Sequence, residues 1–475
     1  MPAGDAPQEE PPKLSRLQVR VWFLSAMGIF LDGFDLFILG VALPLIARDL
    51  GIGPYQQGLL GAAAVLGAVV GAVTMGNLAD RLGRRLLLRL DLLAFGAFTL
   101  LSAFSWDFTS LFIARLLLGV AIGADYPIAA ATVAEFLPKR MRDRPIVAMF
   151  SFQALGMMSG AALGILILEL DPAPDAWRWM LAAGVVPAAV VALLRIGIPE
   201  TPRWAKSRAK AASARAPSVP VSALFRRGII ARTTLAAVPW FAMDVMLYGI
   251  GFFTPTVLAA LEGRGSRGTP GPQGSGPPGG PQDGDFASRD IASTIGTAEL
   301  DILLVAGFVI AILLIGRVDA TKLQIAGFGV CAFALGIVTW AAAVSPGGNA
   351  PDIAYVVIGF ALFNLAVNAG PNPTTYLIAA RVFPTELRAT GHGLATAAGK
   401  SGAAMGIFLL PVLKDGVSLA AAMGVSAAAG VLGLVTTIVL ARHGGDAELA
   451  GPARSEVAPA EGSAAPAVPV GDPSG

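Results

Sequence analysis

Long apolar stretches broken by short polar ones run along the whole chain. Apolar segments begin near residues 22, 57, 86, 107, 145 and 177, and a second set begins near 229, 297, 323, 351, 388 and 417. Between the sets lies a polar stretch from Glu200 to Arg227, rich in Arg, Lys, Ala and Ser. A helix of about 20 apolar residues crosses the hydrocarbon core of a bilayer, and a helix satisfies its own backbone there. The spacing leaves roughly 30 residues for each span and its connector. Strands of a membrane barrel would show short alternating segments instead, and none are seen. The pattern predicts an all-α membrane protein with twelve transmembrane helices in two six-helix halves. Its boundaries are an N-terminal tail at 1–20, a first half at 21–198, a linker at 199–228, a second half at 229–442 and a tail at 443–475.

The polar segments set the orientation. Arg81, Arg84, Arg85 and Arg89 follow the second span, Lys139, Arg140, Arg142 and Arg144 the fourth, and Arg203, Lys206, Arg208, Lys210, Arg226 and Arg227 the sixth. The alternate loops hold few cations. The positive-inside rule then places both termini in the cytoplasm of a multi-pass cell-membrane protein. The stretch at about 263–296 falls outside; its run GTPGPQGSGPPGGPQDG reads as a flexible external loop. The first apolar run is too long for a signal h-region and has no small-residue cleavage site, so it is expected to stay as a span. The C-terminal tail, rich in Ala, Pro, Gly and Ser, is expected to be disordered.

Composition narrows the function. The chain is 55% hydrophobic and only 14% charged, against about one quarter charged in soluble domains. That excludes a soluble enzyme. A net charge of +2 without a single basic patch excludes a nucleic-acid binder. One cysteine, Cys331, and two histidines, His392 and His443, make no metal centre. No cofactor is expected, and the partners are the bilayer, protons and a small solute.

Polar groups inside the spans carry the candidate chemistry, because an ionisable side chain in hydrocarbon costs at least about 2.5–3.5 kcal/mol and faces a cavity or a partner. Span 1 holds Asp32 and Asp35, three residues apart on one helix face. Two carboxylates so close repel when both are ionised, which suits a proton carrier. Span 4 holds Asp125 and Tyr126 beside Pro127, which frees a carbonyl one turn back. Asp91 in span 3 is expected to pair with Arg115 in span 4, as a plain ion pair or a relay. Gln153 in span 5 binds substrate or joins two helices. Span 7 places Trp240, Asp244 and Tyr248 at i, i+4 and i+8, one stripe of the helix. Span 10 contains Gly370, Pro371, Asn372 and Pro373, so a break is expected at Asn372, as in helices that line cavities. Span 11 holds Lys400 among small residues. Lys400 and Arg115 are read as the only cations deep in the membrane, and a buried cation on the pathway favours an anionic substrate.

Two six-helix halves around a midplane site are the architecture of many secondary transporters. The stretch Gly76-Asn-Leu-Ala-Asp80-Arg81-Leu-Gly83-Arg84-Arg85 resembles the signature loop of the major facilitator superfamily. A weaker echo, Gly316-Arg317-Val-Asp319-Ala-Thr-Lys322, follows span 8. Arg115-Leu-Leu-Leu-Gly119 and Pro199-Glu200-Thr201-Pro202-Arg203-Trp204 resemble two further motifs of that superfamily. The resemblance implies a cytoplasmic gate in which Asp80, Arg81, Gly83, Arg84 and Arg85 latch the halves in one state.

Within the superfamily, FLDGFDLF, GADYPIAAATVAE, WFAMDVMLYG and GPNPTTYLIAARVFPTELRATGHGLATAAGKSGA look like the phosphate:proton symporter family. That resemblance implies phosphate ligands at Tyr126, Gln153, Trp240, Asp244, Tyr248 and Asn372, with Lys400 matching a lysine of the family's span 11. It implies proton coupling through Asp35, Asp91, Arg115 and Asp125, with Asp32 as a further member. The expectation is proton-coupled symport of inorganic phosphate or a similar small anion by a monomer. Span 1 also looks like the aromatic-acid:proton symporters, which share DGxD, so uptake of an organic acid is the alternative. A non-transporting nutrient sensor is a reading of another class.

Overall fold

The computed structural model describes residues 14–138, 141–170, 173–213, 220–265, 302–344 and 353–449. Of the expected N-terminal tail (1–20), external loop (about 263–296) and C-terminal tail (443–475), residues 1–13, 266–296 and 450–475 lie outside them, whereas 16–20, 263–265 and 443–449 are helical, at the ends of α1, α9 and α15. The first half comprises α1 (Arg16–Asp49), α2 (Pro54–Leu82), α3 (Arg84–Ala103), α4 (Phe108–Phe136), α5 (Asp143–Leu170), and α6 (Trp177–Ala183) continuing into α7 (Val185–Arg195). A polar helix, α8 (Pro202–Ser213), follows. The second half comprises α9 (Arg227–Gly265), the shorter α10 (Ile302–Leu314), α11 (Ala320–Ala343), α12 (Ile353–Ala369) with α13 (Pro371–Val382), α14 (Arg388–Gly416) and α15 (Leu419–Leu449). Among the described residues eleven helices are long and apolar enough to cross a membrane, and α10 is a shorter apolar one. The helices alternate in direction, so α1 starts and α15 ends on one face, here the terminal face.

Polar residues at the ends start the helices. Ser15 and Gln18 cap α1 reciprocally, at 2.9 and 3.2 Å. Asp107 accepts the Ser110 amide at the start of α4, and Asp319 accepts the Thr321 amide at the start of α11. The sixth span bends at Gly184, where Pro187 removes the amide that would close the turn back to Ala183. The tenth breaks as the two prolines predict: α12 ends at Ala369, Gly370 turns the chain and Pro371 opens α13.

Close packing comes from small residues. Side chains at Gly71 and Gly119 would run into the Val120 and Ala64 carbonyls, which brings α2 onto α4. Gly33 and Gly156 bring α1 onto α5 in the same way, and Gly402 brings α14 onto α9. The pairing repeats: spans 1 and 5 in the first half answer spans 7 and 11 in the second. Across the halves α2 meets α14, where a side chain at Gly393 would strike the Ala72 carbonyl. Phe150 of α5 meets Phe308 of α10 with ring centroids 6.1 Å apart.

Gly71→Val is expected to overpack the α2–α4 contact and cost about 1–3 kcal/mol, read as a lower unfolding temperature in detergent. Gly96→Val faces open space and is expected to leave that temperature unchanged.

Candidate substrate and proton site between the halves

Four helices from both halves converge on one polar cluster. Tyr126 (α4), Gln153 (α5), Tyr248 (α9) and Lys400 (α14) are all buried. Gln153 Nε2 donates to Tyr126 Oη at 2.7 Å and to Tyr248 Oη at 3.3 Å. Lys400 Nζ donates to Tyr248 Oη at 2.8 Å and to Tyr126 Oη at 3.4 Å, and lies 4.7 Å from the centroid of each ring. Asp244, one turn before Tyr248, is 2% exposed; its Oδ2 is buried with no hydrogen-bond partner. Lys400 is within electrostatic reach of both Asp244 and Asp32.

Aromatic rings wall the cluster. The Trp240 centroid lies 6.4 Å from Tyr126 and 5.9 Å from Tyr376. Phe150 stacks on Tyr376 at 4.5 Å. Gly399 leaves room for the indole, since a side chain there would enter the Trp240 ring. Asn372, on the first turn of α13, donates to Asn368 Oδ1 at 2.8 Å and is not seen bonded to the Lys400 group. Trp240, Asp244 and Tyr248 do share one buried stripe of α9.

The remaining carboxylates belong to the first half, and their pairing corrects the sequence reading. Arg115 does not pair with Asp91. It grips Asp35 with two parallel bonds of 2.8 and 2.7 Å. The reason is depth. Arg115 lies seven residues from the start of α4 at the far face, whereas Asp91 lies seven residues from the start of α3 at the terminal face. Each is thus about 10 Å from an opposite end. Asp91 meets Arg195 instead, at 3.1 Å, and Arg195 also meets Asp125 at 3.0 Å. Arg195 is fully buried, so Lys400 and Arg115 are not the only deep cations. Asp32 does not join Asp35 on Arg115. It is 1% exposed with Oδ2 unpartnered, and Asp125, Lys400, Asp35 and Asp91 act on it through space.

The second half has neutral groups in comparable places. Gln324 donates to Thr437 at 2.9 Å and accepts from Thr374 at 3.0 Å.

At the terminal face a network joins the halves. Asp80 Oδ1 meets Arg84 at 2.7 Å, while its Oδ2 accepts the amide and hydroxyl of Thr390, in the other half, at 2.8 and 2.6 Å. Arg84 reaches Glu135 at 3.0 Å, and Arg388 of the second half lies 3.6 Å from the same oxygen. Glu200 accepts the Arg84 and Arg85 amides at the start of α3, where helix N-termini favour a carboxylate. Gly83 has φ +104° and faces Glu200; any other residue would be strained and would clash. The Arg81 and Arg85 side chains are exposed, outside this network. On the other seam, Arg144 donates to the Ile315 carbonyl at 2.8 Å, against Gly316.

Sequence reasoning left out Arg195, Glu135, Thr390, Arg388, Phe150 and Tyr376. Arg195 had a readable signal, a single cation closing the apolar run 179–194. Glu135 and Thr390 sit in stretches that carried the family resemblance, without an evident partner. Phe150 and Tyr376 are aromatics in apolar runs, which nothing in one sequence separates from lipid-facing ones.

Comparison with known proteins follows the same lines. Residues 25–272, more than half of the chain, match the Major Facilitator Superfamily model, and residues 287–442 match the Sugar (and other) transporter model. A probable inorganic phosphate transporter of Oryza sativa subsp. japonica (1-10) is 30% identical over 81% of this chain and 78% of its own. The putative metabolite transport protein YaaU of Escherichia coli is 24% identical over 90% of this chain and 93% of its own. Among solved structures, the proton:xylose symporter XylE bound to 6-bromo-6-deoxy-D-glucose superposes with a TM-score of 0.72 at 17% identity, covering 88% of this chain and 94% of that one. Helix number, pairing and family match agree, and the chain belongs to the major facilitator superfamily of membrane transporters.

Proposed function

We propose that this protein is a proton-coupled symporter that carries inorganic phosphate, or an anion of similar size, into the cell by alternating access. Residues 21–198 and 229–442 are the two moving halves, and both termini face the cytoplasm. The observation that carries this reading is the Lys400 ammonium, held by Tyr126 and Tyr248 between the halves. A neutral solute takes only hydrogen bonds from a buried ammonium and does not use its charge. An anion does, and the hydroxyls of Tyr126 and Tyr248 and the amide of Gln153 add donors around it. Asp244 supplies an acceptor. Phosphate at neutral pH still carries a proton that such an acceptor binds, whereas sulfate carries none. The rice relatives described as probable inorganic phosphate transporters support the same substrate.

Protons follow the carboxylates of the first half. In order from the far face, these are Asp35 with Arg115, then Asp32, then Asp125 and Asp91. The Asp80, Gly83 and Arg84 network is the cytoplasmic gate. It holds the halves together through Thr390 and Arg388, and it must open for release. The wall formed by Trp240, Tyr126, Phe150 and Tyr376 favours a second reading, an aromatic or other organic acid stacked on those rings.

Labelled phosphate uptake into vesicles is expected to rise as external pH falls below neutral and to collapse with a protonophore. Phosphate and arsenate should compete, and sulfate should not. Competition by aromatic acids in place of phosphate would select the second reading; uptake that follows a sodium gradient would remove proton coupling.

Asp244→Asn keeps a hydrogen-bonding group but cannot switch charge. It is expected to retain binding, lose net uptake and flatten the pH dependence of affinity. Asp244→Ala should weaken binding by about tenfold or more, the worth of one charge-assisted hydrogen bond. Asp80→Asn and Arg84→Ala, far from the cluster, are expected to slow uptake while leaving phosphate affinity unchanged in calorimetry. Affinity lost together with uptake in a folded Asp80 variant would place Asp80 outside the gate.

A further inference from the structure

Arg195 closes α7 with its side chain turned inward. Nε and Nη2 donate to the Leu24 carbonyl at 3.1 and 2.9 Å, and Nη1 donates to the Leu88 carbonyl at 3.1 Å. The same Nη1 meets Asp91 at 3.1 and 3.3 Å and Asp125 at 3.0 Å. Three helices, α1, α3 and α4, thus hold one guanidinium in place. Gly28 makes this possible, because a side chain there would overlap both the Asp125 carboxylate and the Arg195 guanidinium.

The charges around it do not balance. One cation faces two carboxylates at membrane depth, where an uncompensated charge is costly. Among the described residues the other buried cations within the spans are held elsewhere, Arg115 by Asp35, one to one, and Lys400 by the Tyr126 and Tyr248 hydroxyls, while Arg84, Arg142 and Arg388 lie at the terminal face. The charge that acts on this group from α1 is Asp32, on which Lys400 and Asp35 act in turn; at the terminal end Arg20 on α1 and Arg89 on α3 donate to the Leu194 and Ile196 carbonyls in exposed hydrogen bonds. Asp32 adds a further negative charge, not a positive one. Asp125 Oδ2, buried and unpartnered, is the oxygen left free to take a proton.

We propose that Arg195 is a positioning residue of proton coupling: by binding Asp91 and Asp125 to a single positive charge, it makes them a site that holds one exchangeable proton. The proposal rests on the reading above that these carboxylates carry the coupled proton. It separates two kinds of acid in the first half. Asp35 is matched one to one by Arg115, so those two charges balance without a proton. The Asp91–Asp125 pair is neutralised only with one.

The test is infrared difference spectroscopy of the purified protein in lipid, with hydrogen–deuterium exchange and no substrate, joined to transport by the same variants. Wild type is expected to show the carbonyl band of a protonated acid at neutral pH, sensitive to deuterium. Asp91→Asn leaves Asp125 and Arg195 matched one to one and should remove that component. Arg195→Met should strengthen the band, because neither carboxyl then has a counter-charge. It should keep substrate counterflow in preloaded vesicles while losing net, proton-driven uptake. Arg195→Lys should restore the wild-type band and part of net uptake. Gly28→Ala, which alters no titratable group, should shift the band the same way and covers the case in which Arg195→Met does not fold. A band that is unchanged in Asp91→Asn, or unchanged in both Arg195→Met and Gly28→Ala, overturns the inference. Because the spectra need no substrate, a wrong substrate would appear as absent phosphate uptake with the band changes intact.

Discussion

A charge at membrane depth needs a counter-charge or a proton, and the interior of this protein is organised around that need. Asp35 and Arg115 meet as a bidentate pair near the far face. Arg195 holds Asp91 and Asp125 nearer the terminal face. Lys400 lies between two tyrosine hydroxyls at the seam. At the terminal end, Arg84 is shared by Asp80 and Glu135. None of these pairs lies within one helix, and only Asp80 with Arg84, across the α2–α3 turn at Gly83, is close in sequence. Each of the others therefore dictates which helices must touch, and at what depth.

Small residues let those contacts form. Gly28 on α1 leaves room for the Arg195 guanidinium that reaches the Leu24 carbonyl, and Gly33 and Gly156 bring the α1 and α5 backbones into contact. The seam between the halves uses both kinds of contact: α2 and α14 meet closely through Gly76 and Gly393, and the rest is polar groups and aromatic rings. The division of labour follows: ionic groups concentrate in the first half, neutral Gln324, Thr374 and Thr437 stiffen the second, and the mixed cluster lies between.

Helix α14 links the ends of this system. It carries Thr390, bound to Asp80, and Lys400, bound to Tyr248, ten residues apart on one continuous helix. That separation is about 15 Å of rigid rod. A tilt of α14 that frees Thr390 at the terminal face also displaces Lys400 at the cluster. His392, between them, packs its ring against Trp240 and Tyr376 and ties the rod to the aromatic wall.

Hydrophobic periodicity by itself determined the number and order of the helices, because a span long enough to cross hydrocarbon is a local property of the chain. The break at Gly370 was equally local, since proline removes an amide wherever it stands. The polar residues of the site were legible too: Asp32, Asp244 and Lys400 stand out against apolar neighbours whatever they touch. Their partners were not. Asp91 was read with Arg115 and meets Arg195, because pairing depends on depth and on which helices adjoin, and residues 104 positions apart in sequence give no local sign of either. Tyr376 and Phe150 became walls of the site only when two halves closed on each other. Composition shows that a buried charge must find compensation; only the tertiary packing decides which group supplies it.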